Sequence, residues 1–282
     1  MAVEAVRGVE LPSGEAIPIL GQGTWRLGQG RHARSEELEA LRTGLDLGMS
    51  LIDTAEMYGE GAAEELVGEA VAGRREEVFL VSKVLPHHAT HEGTISACRA
   101  SLRRLGTDHL DLYLLHWRGP VPLTETVTAF EELRSAGLIR HWGVSNFDVP
   151  DIVELLGVDG GRSVEADQVL YNLGRRGIEL TLLPWCQHSG LPIMAYSPLG
   201  QGRLVQDPVL RGIAFQHRVT PAQIALAWVL QHPGVCAIPE AGTAKHVRQN
   251  RAALDVQLDD MDLIKLDEAF PPPLEPGPLE MV

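Results

Sequence analysis

The feature of the sequence that most constrains its fold is a regular alternation of short apolar runs with longer amphipathic segments. Eight apolar runs are candidate strands, at residues 19–24, 51–54, 78–84, 110–116, 140–145, 166–170, 192–197 and 235–239. The segments between them, such as "TISACRASLRRLG" and "TPAQIALAWVLQHP", place apolar residues at helical spacing. Eight strands that alternate with helices predict an α/β fold, a closed (β/α)8 TIM barrel. An open dinucleotide-binding sheet is disfavoured, because "LGQGTW" lacks the third glycine of GxGxxG.

The two ends of the chain add elements to this barrel. In "VRGVELPSGEAIPILG" two short runs flank a Pro/Gly turn, which predicts an N-terminal β-hairpin. Near the other end, "DDMDLIKLDEAF" predicts an extra C-terminal helix, and the Pro-rich tail "PPPLEPGPLEMV" is expected to lie over the surface or the barrel mouth. We expect Thr124 and Thr220 to cap helices. No linker divides the chain, so we expect a single domain, residues 1–282.

Charge and cysteine content limit the kinds of function. Asp and Glu number 38 against 24 Lys and Arg, so the net charge of -14 argues against nucleic-acid binding but not against a small anion in a local basic pocket. Cys98, Cys186 and Cys236 lie far apart without a CxxC pattern, which is typical of free thiols in a reducing cytoplasm. No apolar run approaches the ~20 residues of a membrane span, and acids stand early in the N-terminus. We therefore expect a cytoplasmic protein without a signal peptide or membrane partner.

Polar side chains close three consecutive candidate strands. Asp53 ends the second strand and Tyr58 follows it, Lys83 lies inside the third, and His116 ends the fourth. Alone, each has an ordinary interpretation as a cap, a packing residue or a satisfied core residue. A lysine in an apolar strand is the hardest to dismiss, because a buried ammonium needs a partner. Since active sites of (β/α)8 barrels lie at the carboxyl ends of the strands, we expect the four side chains to converge.

Together these four groups make an acid/base site for a carbonyl compound. A phenol has a pKa of about 10, and a nearby ammonium is expected to lower it. A carboxylate beside that ammonium compensates its burial. An imidazole beside the phenol can orient a carbonyl oxygen and assist proton transfer. We therefore predict that Asp53, Lys83, Tyr58 and His116 prepare a carbonyl group to accept a hydride.

The segment "PHHATHEG" raises the question of a metal site, because His87, His88 and His91 have the spacing H-H-x-x-H. Metal ligation by such a run needs further ligands on a fixed scaffold. A solvated loop before a helix explains the pattern better. We predict no metal site.

Six motifs in order carry a resemblance to a known family: "LIDTAEMYGEG", "VSKV", "LDLYLLHW", "WGVSNF", "YSPLGQG" and "IPEAGTAKHVRQN". The sequence resembles the aldo-keto reductases from "PILGQGTW" to "LDEAF", and it is most similar to short-loop bacterial members of the methylglyoxal reductase and 2,5-diketo-gluconate reductase type. The resemblance implies a nicotinamide cofactor across the barrel mouth and reduction of small aldehydes or ketones, methylglyoxal among them. It also implies a monomer that needs no metal.

The resemblance assigns roles to residues of this chain. Asp53, Tyr58, Lys83 and His116 become the catalytic tetrad, with Tyr58 as the proton donor. Trp25 and Trp117 would line the substrate pocket. Fifteen positions would bind the cofactor: Gly23, Thr24, Ser145, Asn146, Gln168, Tyr196, Ser197, Leu199, Gln201, Ile238, Glu240, Thr243, His246, Gln249 and Asn250. Among these, Ser145, Asn146 and Gln168 would hold the nicotinamide carboxamide, and Tyr196 would stack on the ring.

One departure from the family pattern concerns the choice of cofactor. Many NADPH-preferring members carry a lysine and an arginine where this chain has Glu240 and His246. A carboxylate repels a 2′-phosphate but accepts a hydrogen bond from a ribose hydroxyl. We therefore expect NADPH from the family, with NADH possible. Alternatively, Glu240 points to solvent and Lys245, Arg248 or Arg251 binds the phosphate.

Two other functions remain open at this point. Some relatives of the family are catalytically weak, cofactor-binding regulatory or redox-sensing proteins, and these can keep the tetrad. A lyase or isomerase built on the same barrel is disfavoured by "GVSNF" and "YSPLGQG".

Overall fold

A parallel sheet of eight strands forms the centre of the protein in a computed structural model, which describes residues 6–282. Its strands follow one another in chain order, each paired with the next. They are β3 (Gln22–Gly23), β4 (Leu51–Asp53), β5 (Phe79–Val84), β6 (Leu110–Leu115), β7 (Ile139–Ser145), β8 (Val164–Leu170), β9 (Ile193–Tyr196) and β10 (Val235–Ala237). Each overlaps one of the eight candidate runs, so the predicted strands are confirmed.

The first and last strands meet and close the barrel. Parallel bridges join Leu20 to Ala237 and Gly23 to Glu240. The backbone N–H of Gly21 donates to the carbonyl of Ala237 at 2.8 Å. A side chain at Gly23 would place its Cβ 2.6 Å from the Ile238 carbonyl oxygen, so only glycine permits this closure. The predicted (β/α)8 barrel is confirmed.

Helices surround the sheet and follow the strands in turn. In the described part of the chain they are α1 (Arg34–Asp46), α2 (Ala62–Val71), α3 (His91–Leu105), α4 (Leu123–Ser135), α5 (Val149–Leu156), α6 (Leu182–Ser189), α7 (Pro208–His217), α8 (Pro221–Leu230), α9 (Ala244–Arg251) and α10 (Asp260–Ala269). α10 is the predicted extra C-terminal helix. α7 is a second helix outside the alternating pattern, and it was not predicted.

Of the two threonines predicted to cap helices, one does so in the structure and the other does not. The Thr220 side chain accepts from the backbone N–H of Gln223 and caps α8 as predicted. The prediction for Thr124 is wrong, because α4 already begins at Leu123 after Pro122. Proline's fixed φ suits entry into a helix, so Pro122 sets the start and Thr124 falls within the first turn.

The predicted N-terminal hairpin covers the opposite end of the barrel from the strand carboxyl ends. It consists of β1 (Gly8–Glu10) and β2 (Ala16–Pro18), paired antiparallel. Its turn is tied to the first residues of β7 and β8: the Ser13 backbone N–H donates to Glu165 at 3.0 Å, and Glu15 lies 2.8 Å from His141 Nε2. The end of the barrel at the carboxyl ends of the strands is not covered by the hairpin and is left open for a site.

His141 makes the attachment of the N-terminal hairpin to the barrel dependent on pH. Hydrogen bonds that the His141 ring donates to Glu165 and Glu15 raise the pKa of His141 against the opposing effect of burial. The stabilisation is therefore complete below the unfolded pKa of about 6.5 and is lost as the pH rises through the raised folded pKa. We expect His141→Gln to lower the free energy of unfolding by about 1.5–3 kcal/mol at pH 5.5 and by less at pH 8.5.

Denaturant unfolding at the two pH values measures this difference. The exposed His87 provides the matched control, since His87→Gln should change stability little at either pH. An effect of His141→Gln that stays constant or grows with pH would contradict the assignment.

No helix in residues 6–282 is long and apolar enough to cross a membrane.

Candidate active site

A cavity of about 810 Å³ opens at the carboxyl ends of the barrel strands. Three of the four predicted catalytic residues line it: Asp53 as the last residue of β4, Tyr58 in a 3-10 turn (Tyr58–Gly61) and His116 directly after β6. Lys83, inside β5, lies fully buried beneath them. The structure therefore brings all four side chains together, as expected from neighbouring parallel strands.

The Lys83 ammonium uses all three of its hydrogens within this group. It donates to Asp53 Oδ2 at 2.7 Å, to the Thr54 carbonyl at 2.8 Å and to the Tyr58 hydroxyl oxygen at 3.1 Å. An ammonium has three donors and no acceptor, so its position is fully determined. Because Tyr58 accepts from Lys83, its own O–H hydrogen is left to point elsewhere, and the cavity is adjacent.

Asp53 and Lys83 form a buried pair that is held from a second side. Burial raises the pKa of Asp53 and lowers that of Lys83, and the attraction between the two opposes both shifts. The Gln168 Nε2 donates to the other Asp53 oxygen at 2.7 Å. Asp53 thus accepts from both neighbours, as a carboxylate does when its burial is compensated.

The pKa of the Tyr58 phenol is raised well above 10, first by desolvation and then by the charge of Asp53 and the nearby Tyr196. The prediction that Lys83 lowers this pKa is wrong for the resting site. The positive charge of Lys83 is balanced by Asp53, so desolvation decides the direction. The phenol is accordingly protonated and able to donate.

His116 is neutral and stands beside the phenol. Burial, assisted by the charge of Lys83, lowers its pKa well below 6.5. Its ring packs edge-on against Tyr58, with 5.8 Å between ring centroids. Within the described residues, its buried Nδ1 has no hydrogen-bond partner.

Polar amides and a tyrosine lie next to the tetrad. Asn146 donates to the His116 carbonyl at 3.1 Å and accepts from the Tyr196 hydroxyl at 2.9 Å, while the Ser145 hydroxyl donates to the Gln168 carbonyl at 2.8 Å. Burial raises the pKa of Tyr196 to about 12. Asn146 and Ser145 therefore use their donor hydrogens internally, while the oxygen of each keeps a lone pair that can accept from a cofactor amide.

Fourteen of the fifteen predicted cofactor residues line the cavity, as do Trp25 and Trp117. These are Gly23, Thr24, Ser145, Asn146, Gln168, Tyr196, Ser197, Leu199, Gln201, Ile238, Glu240, His246, Gln249 and Asn250. The fifteenth, Thr243, caps α9, and its side chain accepts from the backbone N–H of His246.

The groove fits a dinucleotide on its own geometry. Asn146, Ser197 and Gln201 adopt φ values of 58°, 48° and 58°, a left-handed conformation that is unfavourable for residues other than glycine. Such strained positions cluster where backbone is shaped around a ligand. Amides and the Tyr196 ring line the cavity beside the tetrad, and His246, Gln249 and Asn250 of α9 line it as well. The residues present can hold a nicotinamide group beside the tetrad and an adenosine group beside α9.

Several lining residues were not found from the sequence. They include Met57, Arg26, Arg31, Val205, Arg211, Met281 and Val282. The last two belong to the Pro-rich tail, which an ion pair between Glu280 and Arg175 at 2.6 Å fastens beside the cavity. The expectation that the tail lies at the barrel mouth is confirmed. The two loop arginines have only their closeness to "GTW" as a sequence signal.

The three histidines of "PHHATHEG" do not converge. His88 lies 3.0 Å from Glu56, and His91 lies 2.9 Å from Glu132 on α4. The His87 ring packs against the His88 ring at 4.1 Å between centroids. The run is therefore divided between two separate carboxylates, Glu56 and Glu132.

Comparison with known proteins agrees with this site. The pattern of the aldo/keto reductase family matches residues 19–270. The chain is 53% identical to the methylglyoxal reductase YeaE of Escherichia coli (strain K12), over 95% of this chain and 96% of that protein, and 36% identical to the glyoxal reductase of Bacillus subtilis (strain 168), over 92% and 91%.

Solved structures give the same result. An aldo/keto reductase from Klebsiella pneumoniae in complex with NADP and acetate superposes with a TM-score of 0.94 at 50% identity, covering 98% of this chain and 99% of that one. An aldo-keto reductase from the same organism in complex with NADPH superposes with a TM-score of 0.95, also at 50% identity, covering 99% and 100%. The chain belongs to the aldo/keto reductase family.

Proposed function

We propose that the protein reduces small aldehydes or ketones of the methylglyoxal type to alcohols, by hydride transfer from NADPH and with Tyr58 as the proton donor. The observation that carries the proposal is the Lys83 ammonium, which donates to Asp53, Thr54 and Tyr58 and leaves the phenol hydrogen free beside the cavity. The methylglyoxal and glyoxal reductases among the relatives support the substrate class.

The mechanism follows from the charges of the tetrad. Bound NADPH supplies the hydride. A substrate carbonyl oxygen in the cavity accepts a hydrogen bond from Tyr58, and the neutral His116 ring beside the phenol orients that oxygen. As negative charge develops on the oxygen, Tyr58 transfers its proton to it. The phenolate that forms lies 3.1 Å from the Lys83 ammonium, which stabilises it at the moment when its charge appears.

The walls of the cavity favour small, partly apolar substrates. Trp25, Met57 and Trp117 line it near the tetrad. The His116 and Trp117 rings pack with 5.0 Å between centroids, so Trp117 lies beside the imidazole that orients the carbonyl oxygen. Aromatic walls of this kind bury apolar groups of a ligand and leave the orientation to a few polar contacts.

The choice between NADPH and NADH is a separate part of the proposal. The NADP and NADPH complexes of the Klebsiella pneumoniae proteins support NADPH, whereas Glu240 and His246 favour some use of NADH. We expect kcat/KM to differ between the two cofactors by less than about tenfold, because one phosphate contact contributes about 1.5–3 kcal/mol and Glu240 opposes it. An advantage of NADPH of about a hundredfold or more would contradict this expectation.

A panel of aldehydes and ketones tests the reaction itself. We expect the wild-type protein to oxidise NADPH, followed by its absorbance, with methylglyoxal and other small aldehydes. If it binds NADPH tightly yet reduces nothing in the panel, the alternative of a catalytically weak, cofactor-binding regulatory or redox-sensing protein is favoured.

The remaining parts of the proposal concern the domain number, oligomeric state, location and partners of the protein. We propose that residues 1–282 act as one domain and as a monomer in the cytoplasm, with a small carbonyl compound as the partner rather than a nucleic acid or a membrane. The net charge of -14 supports the exclusion of nucleic acid. Light scattering of the purified protein tests the monomer.

A further inference from the structure

Two loops meet at the adenosine end of the cavity. One follows β3 and spans residues 24–33, and the other follows β10 and spans residues 238–243. The bridge between Gly23 and Glu240 joins their starts. Further along, a side chain at Gly242 would overlap the ring of His32, so the loops pack directly on each other there. Residues of the first loop therefore lie beside the helix α9 that borders this end.

The cations of α9 itself are poorly placed for a phosphate in the cavity. His246, Gln249 and Asn250 line the cavity, whereas Lys245 and Arg248 do not. Arg251 donates to the Leu47 carbonyl at 3.2 Å, on the side of α1. The three alternatives named from the sequence thus point away from the cavity or have another partner.

Arginines of the first loop do line the cavity. The Arg26 guanidinium lies over the Trp25 ring, 4.3 Å from its centroid. Arg31 is exposed, lines the cavity and has no hydrogen bond or ion pair within residues 6–282. Desolvation raises the pKa of Glu240, and the charges of Arg26 and Arg31 oppose that shift. Glu240 therefore lies in the field of both arginines.

We propose that Arg31 is the cationic contact for the 2′-phosphate of NADPH, and that Glu240 acts as its counter-charge and limits the preference for NADPH over NADH. This inference rests on the proposed use of NADPH. An arginine binds phosphate through two parallel N–H donors, and a carboxylate competes for the same donors. The 2′-phosphate carries nearly two negative charges and is repelled by Glu240.

The Kd values of NADPH and NADH, measured by cofactor fluorescence without substrate, test the proposal. We expect Arg31→Ala to weaken NADPH binding about tenfold or more and NADH binding less than about twofold. Glu240→Gln should strengthen NADPH binding about tenfold, and Arg31→Lys should keep part of the wild-type affinity for NADPH. Arg248→Ala is the matched control and should change neither Kd, since Arg248 is an exposed arginine of α9 that does not line the cavity.

Two results would overturn the proposal: an unchanged ratio of the two Kd values in Arg31→Ala, or the loss of NADPH affinity in Arg248→Ala instead. A Glu240→Gln variant that binds NADPH no better would refute the part assigned to Glu240. Failure of the proposed function is distinguishable, because binding is measured without turnover. A protein with the expected Kd values that reduces no aldehyde would retain the inference and lose the reaction.

Discussion

Tyr58→Phe should reduce kcat for aldehyde reduction by about 10²–10⁴, because it removes the general acid and leaves the ring in place. The phenol oxygen accepts from the buried Lys83 ammonium at 3.1 Å, so the change leaves one donor of a buried charge unpaired, and stability should fall by about 1.5–3 kcal/mol. The Kd for NADPH should stay within about twofold, since the change leaves the groove intact. Steady-state rates with NADPH and methylglyoxal measure kcat, a cofactor titration measures the Kd, and urea unfolding measures the stability.

Tyr113→Phe is the matched control for this prediction. Tyr113 lies on β6 of the same barrel and is fully buried, and within the described residues its hydroxyl has no hydrogen-bond partner. Removing an unsatisfied hydroxyl is expected to leave stability unchanged or to raise it, and kcat should not change. A Tyr58→Phe variant that keeps the wild-type kcat would refute the proton-donor assignment.

The barrel is predictable because strands of a parallel sheet are buried on both faces and read as continuous apolar runs. The Asp53–Lys83 pair is predictable for a related reason. Residues near the carboxyl ends of adjacent parallel strands must lie close together, and a buried ammonium must find a carboxylate. In the structure the two charged groups lie 2.7 Å apart.

Other features depend on loop positions that a sequence pattern does not determine. Two helices, α7 and α8, stand between β9 and β10 where the alternation has one, so periodicity alone gives no reason to expect α7. The bond from Gln168 to Asp53 joins residues 115 positions apart through the barrel interior. The direction of the Tyr58 pKa shift depends on whether desolvation of the phenol outweighs the effect of the Lys83 charge, which Asp53 balances. Arg31 becomes informative only once His32 is known to pack on Gly242.

Lys83→Met should lower the free energy of unfolding by about 3–5 kcal/mol, because it leaves the Asp53 carboxylate buried without its cation. Asp53 is only 2% exposed, so water cannot replace the ammonium. The phenolate formed during reduction also loses its stabilising charge, and kcat should fall at least about a hundredfold. Urea unfolding and steady-state rates measure the two effects separately.

The double variant Asp53→Asn/Lys83→Met distinguishes charge burial from catalysis. It removes both charges together, and replacing a buried ion pair by neutral groups is often close to neutral for stability. The amide carbonyl introduced in place of the carboxylate would still accept the Gln168 bond that Asp53 accepts at 2.7 Å. We therefore expect most of the lost stability to return while kcat stays low, since the phenolate still lacks Lys83. Recovery of kcat together with stability would show that the pair serves only the fold, because its charge would then be unnecessary for proton transfer from Tyr58.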